Sequence, residues 1–291
     1  MQYNSIAQML TLAETHNMSL WQVVLEAEMA QTEQSADDIF RRLSARYEVM
    51  RRSAKRALEE PLPTIGGLIE GVASTQHTYA ATGGISGEFI NRLMAQALSA
   101  SEVNASMGKI CAAPTAGACG VLPSVLMSVG EKYDADNQRI LEALLIASGI
   151  GVVIMTNATV AGAEGGCQAE CGAAAAMAAA GAVYLAGGSN QTTERAVAIA
   201  LMNVLGLVCD PVAGLVQIPC AQRNASQAVN ALISADMALA GMDSVVPADE
   251  MIDAMFQVGR MLPASLRETG KGGTAGTPAG KAIYRRVFRD R

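Results

Sequence analysis

The chain has 291 residues and a mass of 30.1 kDa, enough to bury a sizeable core in one large domain or two small ones. Its net charge of −6 argues against a nucleic-acid-binding protein, because phosphate binding requires a basic surface. Hydrophobic residues make up 51% of the chain and aromatic residues only 4%, so we expect helices that pack closely through small side chains.

The first residues lack the basic start and apolar run of a secretory signal, so we expect a cytoplasmic protein. Residues 143–163 and 171–193 carry no charge and reach the roughly 20 residues needed to cross a bilayer. Both segments are rich in Ala and Gly and contain Asn and Thr, and Glu164 and Glu170 lie between them. Buried helices of a protein without membrane spans are therefore the better interpretation.

Serines at positions 5, 19 and 35 predict the starts of three helices within residues 1–60. In the third of these helices, apolar residues recur every three or four positions from Ile39 to Leu58, with basic residues between them. This pattern is typical of an amphipathic packing layer. At the other end of the chain, Arg285, Arg286, Arg289 and Arg291 indicate a solvated basic helix end.

A Pro- and Gly-rich break at residues 61–67 precedes His77, which is either a catalytic base or a core residue. A helix is predicted over residues 87–101. Further along, Pro114, Thr115 and Gly117 come just before the helical pattern of residues 121–130. Free backbone N–H groups at such a turn suit a small carboxylate, and an ordinary capped helix start is the alternative.

The second half of the chain predicts helices over residues 143–156, 173–186, 194–205, 224–240 and 249–262, with a cap at Thr192 or Thr193. Period-two alternation is almost absent, so the predicted fold is all-α. We expect a single domain over residues 1–291: an N-terminal helical layer (1–60), a site region (61–275) and a basic C-terminal helix (276–291).

Three cysteines lie in turns broken by glycine or proline: Cys167, Cys209 and Cys220. Such turns let backbone amides approach sulfur atoms closely, which predicts an iron–sulfur cluster held in loops between helices. Cys119 and Cys171 are interpreted as packing residues, and the role of Cys111 stays open.

Five segments resemble the alpha chain of bacterial iron–sulfur-dependent L-serine dehydratase. They are E-V-N-A-S-M-G (102–108), C-A-A-P-T-A-G (111–117), A-G-A-E-G-G-C-Q-A-E (161–170), C-D-P-V-A-G-L-V-Q-I-P-C (209–220) and R-E-T-G-K-G-G (267–273). Each segment alone is a weak signal, whereas the ordered set is specific. Two departures from the family pattern are Ala213, where glycine is usual, and Ala221-Gln222 after the third cysteine.

The resemblance implies a [4Fe–4S] cluster on Cys167, Cys209 and Cys220, with one iron that has no cysteine ligand. Such an iron is a Lewis acid for the 3-hydroxyl of L-serine, which loses water and ends as pyruvate and ammonia, a reaction of serine degradation and gluconeogenesis. The turn of Pro114, Thr115, Ala116 and Gly117 is expected to bind the substrate carboxylate, with Thr115 as a donor. Lys271 and Arg267 are expected to help with anionic charge.

The catalytic base is the missing part. Single-chain relatives carry an extra N-terminal domain with a Ser- and His-containing loop, and this sequence has no counterpart. The resemblance therefore implies a two-chain enzyme with a beta subunit, and a homo-oligomer is compatible with it. His77, Glu164 and Glu170 are the fallback candidates for the base.

Two alternatives remain open. One is a related cluster-dependent lyase such as an L-cysteine desulfidase. The other is a non-catalytic iron–sulfur sensor or structural protein, which predicts a fourth cysteine ligand such as Cys111.

Overall fold

The computed structural model describes residues 1–288; Arg289 and Arg291 of the predicted basic end lie outside the described residues. Within this range the chain is all-helical, as predicted, and a single isolated bridge between Cys209 and Arg267 is its only extended pairing. The helices are α1 (Ile6–Thr15), α2 (Leu20–Thr32), α3 (Ala36–Arg56), α4 (Val72–Ala80), α5 (Gly87–Ala105), α6 (Val121–Lys132), α7 (Asn137–Asn157), α8 (Gly162–Gly165), α9 (Ala173–Leu185), α10 (Asn190–Met202), α11 (Cys220–Leu239), α12 (Ala248–Met261) and α13 (Pro278–Phe288).

The predicted helix starts at the N-terminus are confirmed. The Ser5 and Ser35 side chains each accept a hydrogen bond from the backbone amide of the residue three positions later, and Ser19 precedes α2. The predicted cap of α10 was wrong, because the helix begins at Asn190 and the Ser189 hydroxyl accepts from the Thr192 amide. Ser189 is therefore the capping residue, one turn before the predicted threonines.

Two helix starts and one whole helix differ from the sequence pattern. Helix α7 begins at Asn137 instead of residue 143, because the Asp136 carboxylate caps it. Helix α11 begins at Cys220 instead of residue 224, so this cysteine opens a helix. The sequence pattern did not predict α4, a short helix that carries His77.

Helix α9 forms the centre of the molecule. All its residues except Tyr184 are buried, and it packs against α6, α7, α10 and α11. Alanine and glycine make this possible: a Cβ atom on Gly181 would lie 2.6 Å from a methyl group of Leu126. A helix that is apolar on every side is a core helix.

One helix in the described range, α7, is long and apolar enough to cross a membrane by length and composition, with a mean hydropathy of 1.9. Buried residues make up 61% of that apolar window, so most of it faces other helices. The second uncharged segment, residues 171–193, is interrupted by a turn between Leu185 and Asn190 and forms no single long helix.

The N-terminal helices share the core of the rest of the chain. Val24 of α2 and Met9 of α1 pack so tightly on α7 that a Cβ atom on Gly149 would lie 2.4 Å from Val24 and 3.1 Å from Met9. The Asp249 carboxylate of α12 also accepts hydrogen bonds from the amides of Ile6 and Ala7. The first residues therefore form a layer on one common core.

A buried carboxylate fixes the loop between α3 and α4. Glu102 of α5 is fully buried and accepts hydrogen bonds from the backbone amides of Leu62, Gly71 and Ala73 at 2.7, 3.0 and 3.3 Å. The Ile65 carbonyl of the same loop accepts from the buried Gln217 side chain at 2.9 Å. Glu102 thus fixes the loop that Gln217 contacts, and so supports the turn that follows Gln217.

We expect Glu102→Ala to lower the free energy of unfolding by about 3 kcal/mol or more, because three amides, one buried and two partly buried, lose their carboxylate acceptor. Urea unfolding of the chain measures this loss. The matched control is Glu26→Ala, an exposed glutamate within α2, which should change stability by no more than about 0.5 kcal/mol. Equal stability of the two variants would contradict the role of Glu102.

Candidate active site

Irregular segments at one end of the helices bring Cys167, Cys209 and Cys220 together. Cys167 lies between α8 and a π-helical turn, Gln168–Gly172. Cys209 follows α10, and Cys220 is the first residue of α11. The charge of Cys167 raises the pKa of both Cys209 and Cys220, and the charge of Cys220 raises that of Cys209, so the three thiols share one environment.

Backbone contacts that few sequences allow position Cys167. The preceding residue, Gly166, has φ +77°, and a Cβ atom there would lie 2.8 Å from the Leu207 carbonyl oxygen, so only glycine fits. The following residue, Gln168, is fully buried; it donates to the carbonyls of Gly165 and Met255 and accepts from the Gly206 amide. Cys167 is therefore fixed from both sides.

Cys209 is held by the loop that follows α12. Its amide donates to the Leu266 carbonyl at 2.9 Å, and its carbonyl accepts from the Glu268 amide at 2.7 Å. This pairing places the predicted R-E-T-G-K-G-G segment directly beside a candidate ligand. Arg267 is half-buried there and Lys271 is exposed, and neither side chain forms an ion pair among residues 1–288.

Asn224, one turn after Cys220, connects α11 to the turn that carries Thr115. It is fully buried, donates to the carbonyls of Gly117 and Cys220 at 2.6 and 2.9 Å, and accepts from the Gly120 amide at 2.8 Å. The predicted carboxylate-binding turn and the third cysteine are thus joined by one side chain.

Glu170 lies between the thiols and Thr115. The Thr115 hydroxyl donates to Glu170 Oε1 at 3.0 Å, and the Cys209 Sγ lies 3.9 Å from Glu170 Oε2. Burial raises the pKa of Glu170, against the opposing effect of the Thr115 hydrogen bond. A Cβ atom on Gly162 would lie 2.6 Å from Glu170 Oε2 and 3.0 Å from Cys209 Sγ, so the glycine leaves space beside both groups.

The three thiols differ electrostatically. A hydrogen bond with Cys171 lowers the pKa of Cys167 despite its burial, and the charge of Arg223 acts in the same direction. Burial raises the pKa of Cys220 to about 12, and burial followed by the charge of Glu170 raises the pKa of Cys209. Cys167 is thus the thiol whose surroundings most favour a thiolate.

An ion pair lies beside this group of three thiols. Arg223 Nη1 lies 2.8 Å from Asp210 Oδ1, with side-chain exposures of 16% and 3%. Sequence reasoning missed this pair, although Asp210 is next to Cys209 and Arg223 lies three residues, about one helical turn, after Cys220. Those spacings were the available signal.

The remaining cysteines separate into two groups. Cys119 is buried and its Sγ faces the Ala100 carbonyl, and the thiol that influences its pKa is Cys111. Cys111 is half-buried; burial raises the pKa of its thiol, and the charge of Arg46 acts in the opposite direction. Cys171, by contrast, is buried against Cys167, so it belongs to the environment of the site although the sequence predicted only a packing role.

The fallback candidates for the catalytic base either lie away from the thiols or already accept a hydrogen bond from another side chain. His77 lines a cavity of about 650 Å³ with Tyr47, Gln96 and Glu131, away from the cysteines. Glu164 is exposed, and the Thr159 hydroxyl donates to its carboxylate at 2.6 Å. Of the three candidates, the structure brings only Glu170 to the thiols.

The donor set fits a cluster better than a single ion. No three His, Cys, Asp or Glu side chains among the described residues converge closely enough to hold one metal ion. Cysteine thiolates are the ligands of iron–sulfur clusters, and here three cysteines come from three turns, with Gly162 leaving space beside Cys209 and Glu170. The residues present therefore fit an iron–sulfur cluster.

Comparison with known proteins identifies the family of the chain. The sequence profile of the family described as serine dehydratase alpha chain matches residues 15–275. The chain belongs to the serine dehydratase alpha chain family. It is 46% identical over 288 residues to the L-serine dehydratase alpha chain of Peptoniphilus asaccharolyticus, covering 99% of both chains. It is 42% identical over 287 residues to the probable L-serine dehydratase alpha chain of Bacillus subtilis, covering 98% of this chain and 95% of the relative.

A longer relative is also similar. L-serine dehydratase TdcG of Escherichia coli is 34% identical over 281 residues, which are 94% of this chain and 61% of the relative. The match to this member of the serine dehydratase family therefore leaves more than a third of its length without a counterpart here.

The structure explains one departure from the family pattern. Ala213 has φ +58°, in the left-handed region where an L-residue with a side chain is strained. Glycine adopts this conformation without penalty, so the glycine that the family resemblance implies at this position would fit the backbone better than alanine does.

We expect Ala213→Gly to raise the free energy of unfolding by about 0.5–1 kcal/mol, because relief of the backbone strain exceeds the entropy cost of glycine. The control is Ala178→Gly within α9, which should lower stability by about 1 kcal/mol or more. Chemical unfolding of both variants tests the contrast. Destabilisation by Ala213→Gly would show that the left-handed backbone carries no strain.

Proposed function

We propose that this chain is the catalytic alpha chain of an L-serine dehydratase, which converts L-serine to pyruvate and ammonia. The observation that carries the proposal is the convergence of Cys167, Cys209 and Cys220 beside the Thr115–Glu170 hydrogen bond. The printed names of the two alpha-chain relatives, which match nearly the whole chain, support the substrate. A cytoplasmic location and a role in serine degradation and gluconeogenesis are part of the same proposal.

Cys167, Cys209 and Cys220 would hold a [4Fe–4S] cluster. When bound, the cluster would supply a Lewis-acidic iron without a cysteine ligand, to which the 3-hydroxyl of serine can bind. The chain's own residues prepare the position: Gln168 and Asn224 fix the backbone around the first and third cysteines.

The turn at Thr115 would bind the substrate carboxylate. Within the described residues, the amides of Ala116 and Gly117 donate no hydrogen bond to a protein group. The Asn224 side chain accepts from the Gly120 amide and donates to the Gly117 carbonyl, which keeps this turn rigid. These two amides, together with the Thr115 hydroxyl once it turns from Glu170 to the substrate, would form a suitable set of donors for a small carboxylate. Lys271 and Arg267, on the neighbouring loop, would add positive charge.

A beta subunit would supply the base that removes the proton from the α-carbon. Both histidines of the chain lie away from the thiols, His16 exposed at the end of α1 and His77 in another cavity. The name alpha chain, carried by the relatives of matching length, implies a partner chain. A homo-oligomer of the complete enzyme is compatible with this arrangement.

The experiment that tests the function is anaerobic reconstitution with iron and sulfide, followed by electron paramagnetic resonance of the reduced cluster with and without L-serine. We expect a [4Fe–4S] signal that shifts on addition of L-serine, and pyruvate formation once the beta chain is present. Cys167→Ala, Cys209→Ala and Cys220→Ala should each abolish the cluster absorbance and the activity. Cys119→Ala should leave both intact, because its thiol faces the Ala100 carbonyl, away from the three ligands.

Two outcomes would contradict the proposal. Loss of the cluster in the Cys119 variant would refute the ligand set. A cluster signal that ignores L-serine, even with the beta chain present, would favour a structural or sensor cluster.

Thr115→Val should retain the cluster and raise the KM for L-serine about tenfold or more, because a hydrogen bond to a charged group contributes about 1.5–3 kcal/mol. Thr115→Ser keeps the hydroxyl and should retain most of the affinity. Steady-state kinetics of the reconstituted two-chain enzyme measures both. Unchanged KM in the valine variant would remove Thr115 from the substrate site and leave its hydroxyl with Glu170 alone.

A further inference from the structure

The ion pair between Arg223 and Asp210 is unlike the others in the protein. Each of the five other ion pairs among residues 1–288 joins side chains that are at least 38% exposed. Arg223 and Asp210 are 16% and 3% exposed. Burying two charges costs desolvation energy, so such a pair is poor evidence for a role in stability alone. Its contacts point to another role.

This one pair contacts the surroundings of all three candidate ligands. Arg223 follows Cys220 by about one helical turn, and its Nη1 also donates to the Val208 carbonyl at 2.7 Å, next to Cys209. The charge of Arg223 also reaches the Cys167 thiol and lowers its pKa.

Asp210 fixes the guanidinium in place. One carboxylate oxygen faces Arg223, and the other accepts from the Thr274 amide at 2.6 Å. The neighbouring Gly273 has φ +55°, and a Cβ atom there would overlap the Asp210 carboxylate and lie 2.7 Å from the Asp210 Cβ. The glycine-rich loop is therefore shaped around the aspartate, which in turn orients the arginine.

The charge balance of the site favours a cation at this position. Three thiolates would lie together with Glu170 and Glu268, which influence the same thiols through their negative charges. Arg267 and Lys271 form no ion pair with these groups within the described chain. Arg223 is the buried cation that directly offsets this negative charge.

We propose that Arg223 is a positioning residue for the cluster: oriented by Asp210, it fixes Cys167 and supplies positive charge that retains the cluster and raises its reduction potential. This inference rests on the proposed function, since it requires a cluster on the three cysteines. It assigns a role to Asp210 and Gly273 as well, because both determine where the guanidinium lies.

The test compares reconstituted Arg223→Gln with wild type. Loss of iron to a chelator should be about tenfold or more faster, as expected for removal of a group that supports metal ligands. The midpoint potential, measured by electron paramagnetic resonance during redox titration, should become more negative because less positive charge stabilises the added electron. Arg223→Lys should keep the midpoint potential of wild type, because the positive charge remains. It should still lose iron faster than wild type, because an ammonium group cannot make the paired contacts of a planar guanidinium group.

Matched controls separate this role from a general loss of stability. Arg195→Gln removes an exposed arginine 3.8 Å from Asp243 on a helix without ligands and should change neither quantity. Gly273→Ala should accelerate iron loss by displacing Asp210. Gly187→Ala has a comparable left-handed backbone, φ +82°, with no atom within 4 Å of the new methyl group, and should not accelerate it.

The outcomes distinguish the inference from the function on which it rests. A wild-type chain that binds no cluster would refute the proposed function itself. A loaded wild type with Arg223→Gln unchanged in potential and in iron loss would overturn only the role of Arg223. Faster loss at an unchanged potential would also overturn it, because a merely structural residue gives that result. If Arg223→Gln fails to fold, Arg223→Lys and Gly273→Ala decide the question through the same measurements.

Discussion

The candidate site depends on buried side chains that satisfy the backbone of its loops. Loops inside a helical protein leave N–H and C=O groups that need partners, and each unpaired group costs free energy. Here the partners are Gln168, Asn224 and Glu102, all fully buried, which bond the backbone next to Cys167, next to Cys220 and in the loop before α4. The same contacts that make these loops stable also fix the sulfur atoms.

The alanine-rich centre makes this arrangement possible. Helix α9 follows directly on the turn that carries Cys167 and Cys171, and α11 begins at Cys220 and packs against α9. Because alanine side chains cannot change rotamer, the relative position of the two helices is tightly defined. Rigid helices therefore carry two of the three candidate ligands, and the third, Cys209, is held by backbone pairing with the loop after α12.

Local signals predicted most of the fold. The all-α class follows from the near absence of period-two alternation, and the first three helix starts follow from Ser5, Ser19 and Ser35, whose capping chemistry acts over a few residues. The start of α11 at Cys220 was missed because its first turn carries few apolar residues and no polar cap. Helix propensity is a weak guide where tertiary contacts set the boundary.

The candidate site was predictable only in part. The three cysteines were identified from their turns and from a family resemblance, since their separations match no compact ligand motif. Asp210, Arg223 and Asn224 were missed because their partners lie elsewhere in the chain, and nothing in a single sequence identifies contacts over such separations. Ala213 is the converse case: its departure from the family pattern was visible, but its meaning required the left-handed backbone.

The chain offers candidate residues for two of the three requirements of the reaction. Elimination of water from serine needs a site for the leaving hydroxyl, donors for the carboxylate and a base at the α-carbon. The first two have candidates in the cysteine group and in the Thr115 turn. For the third, Glu170 is the one carboxylate beside the thiols, but it already accepts from Thr115 and lies 3.9 Å from the Cys209 sulfur. A group so engaged serves better to orient its neighbours than to move a proton, which is why the proposed function assigns the base to the beta subunit.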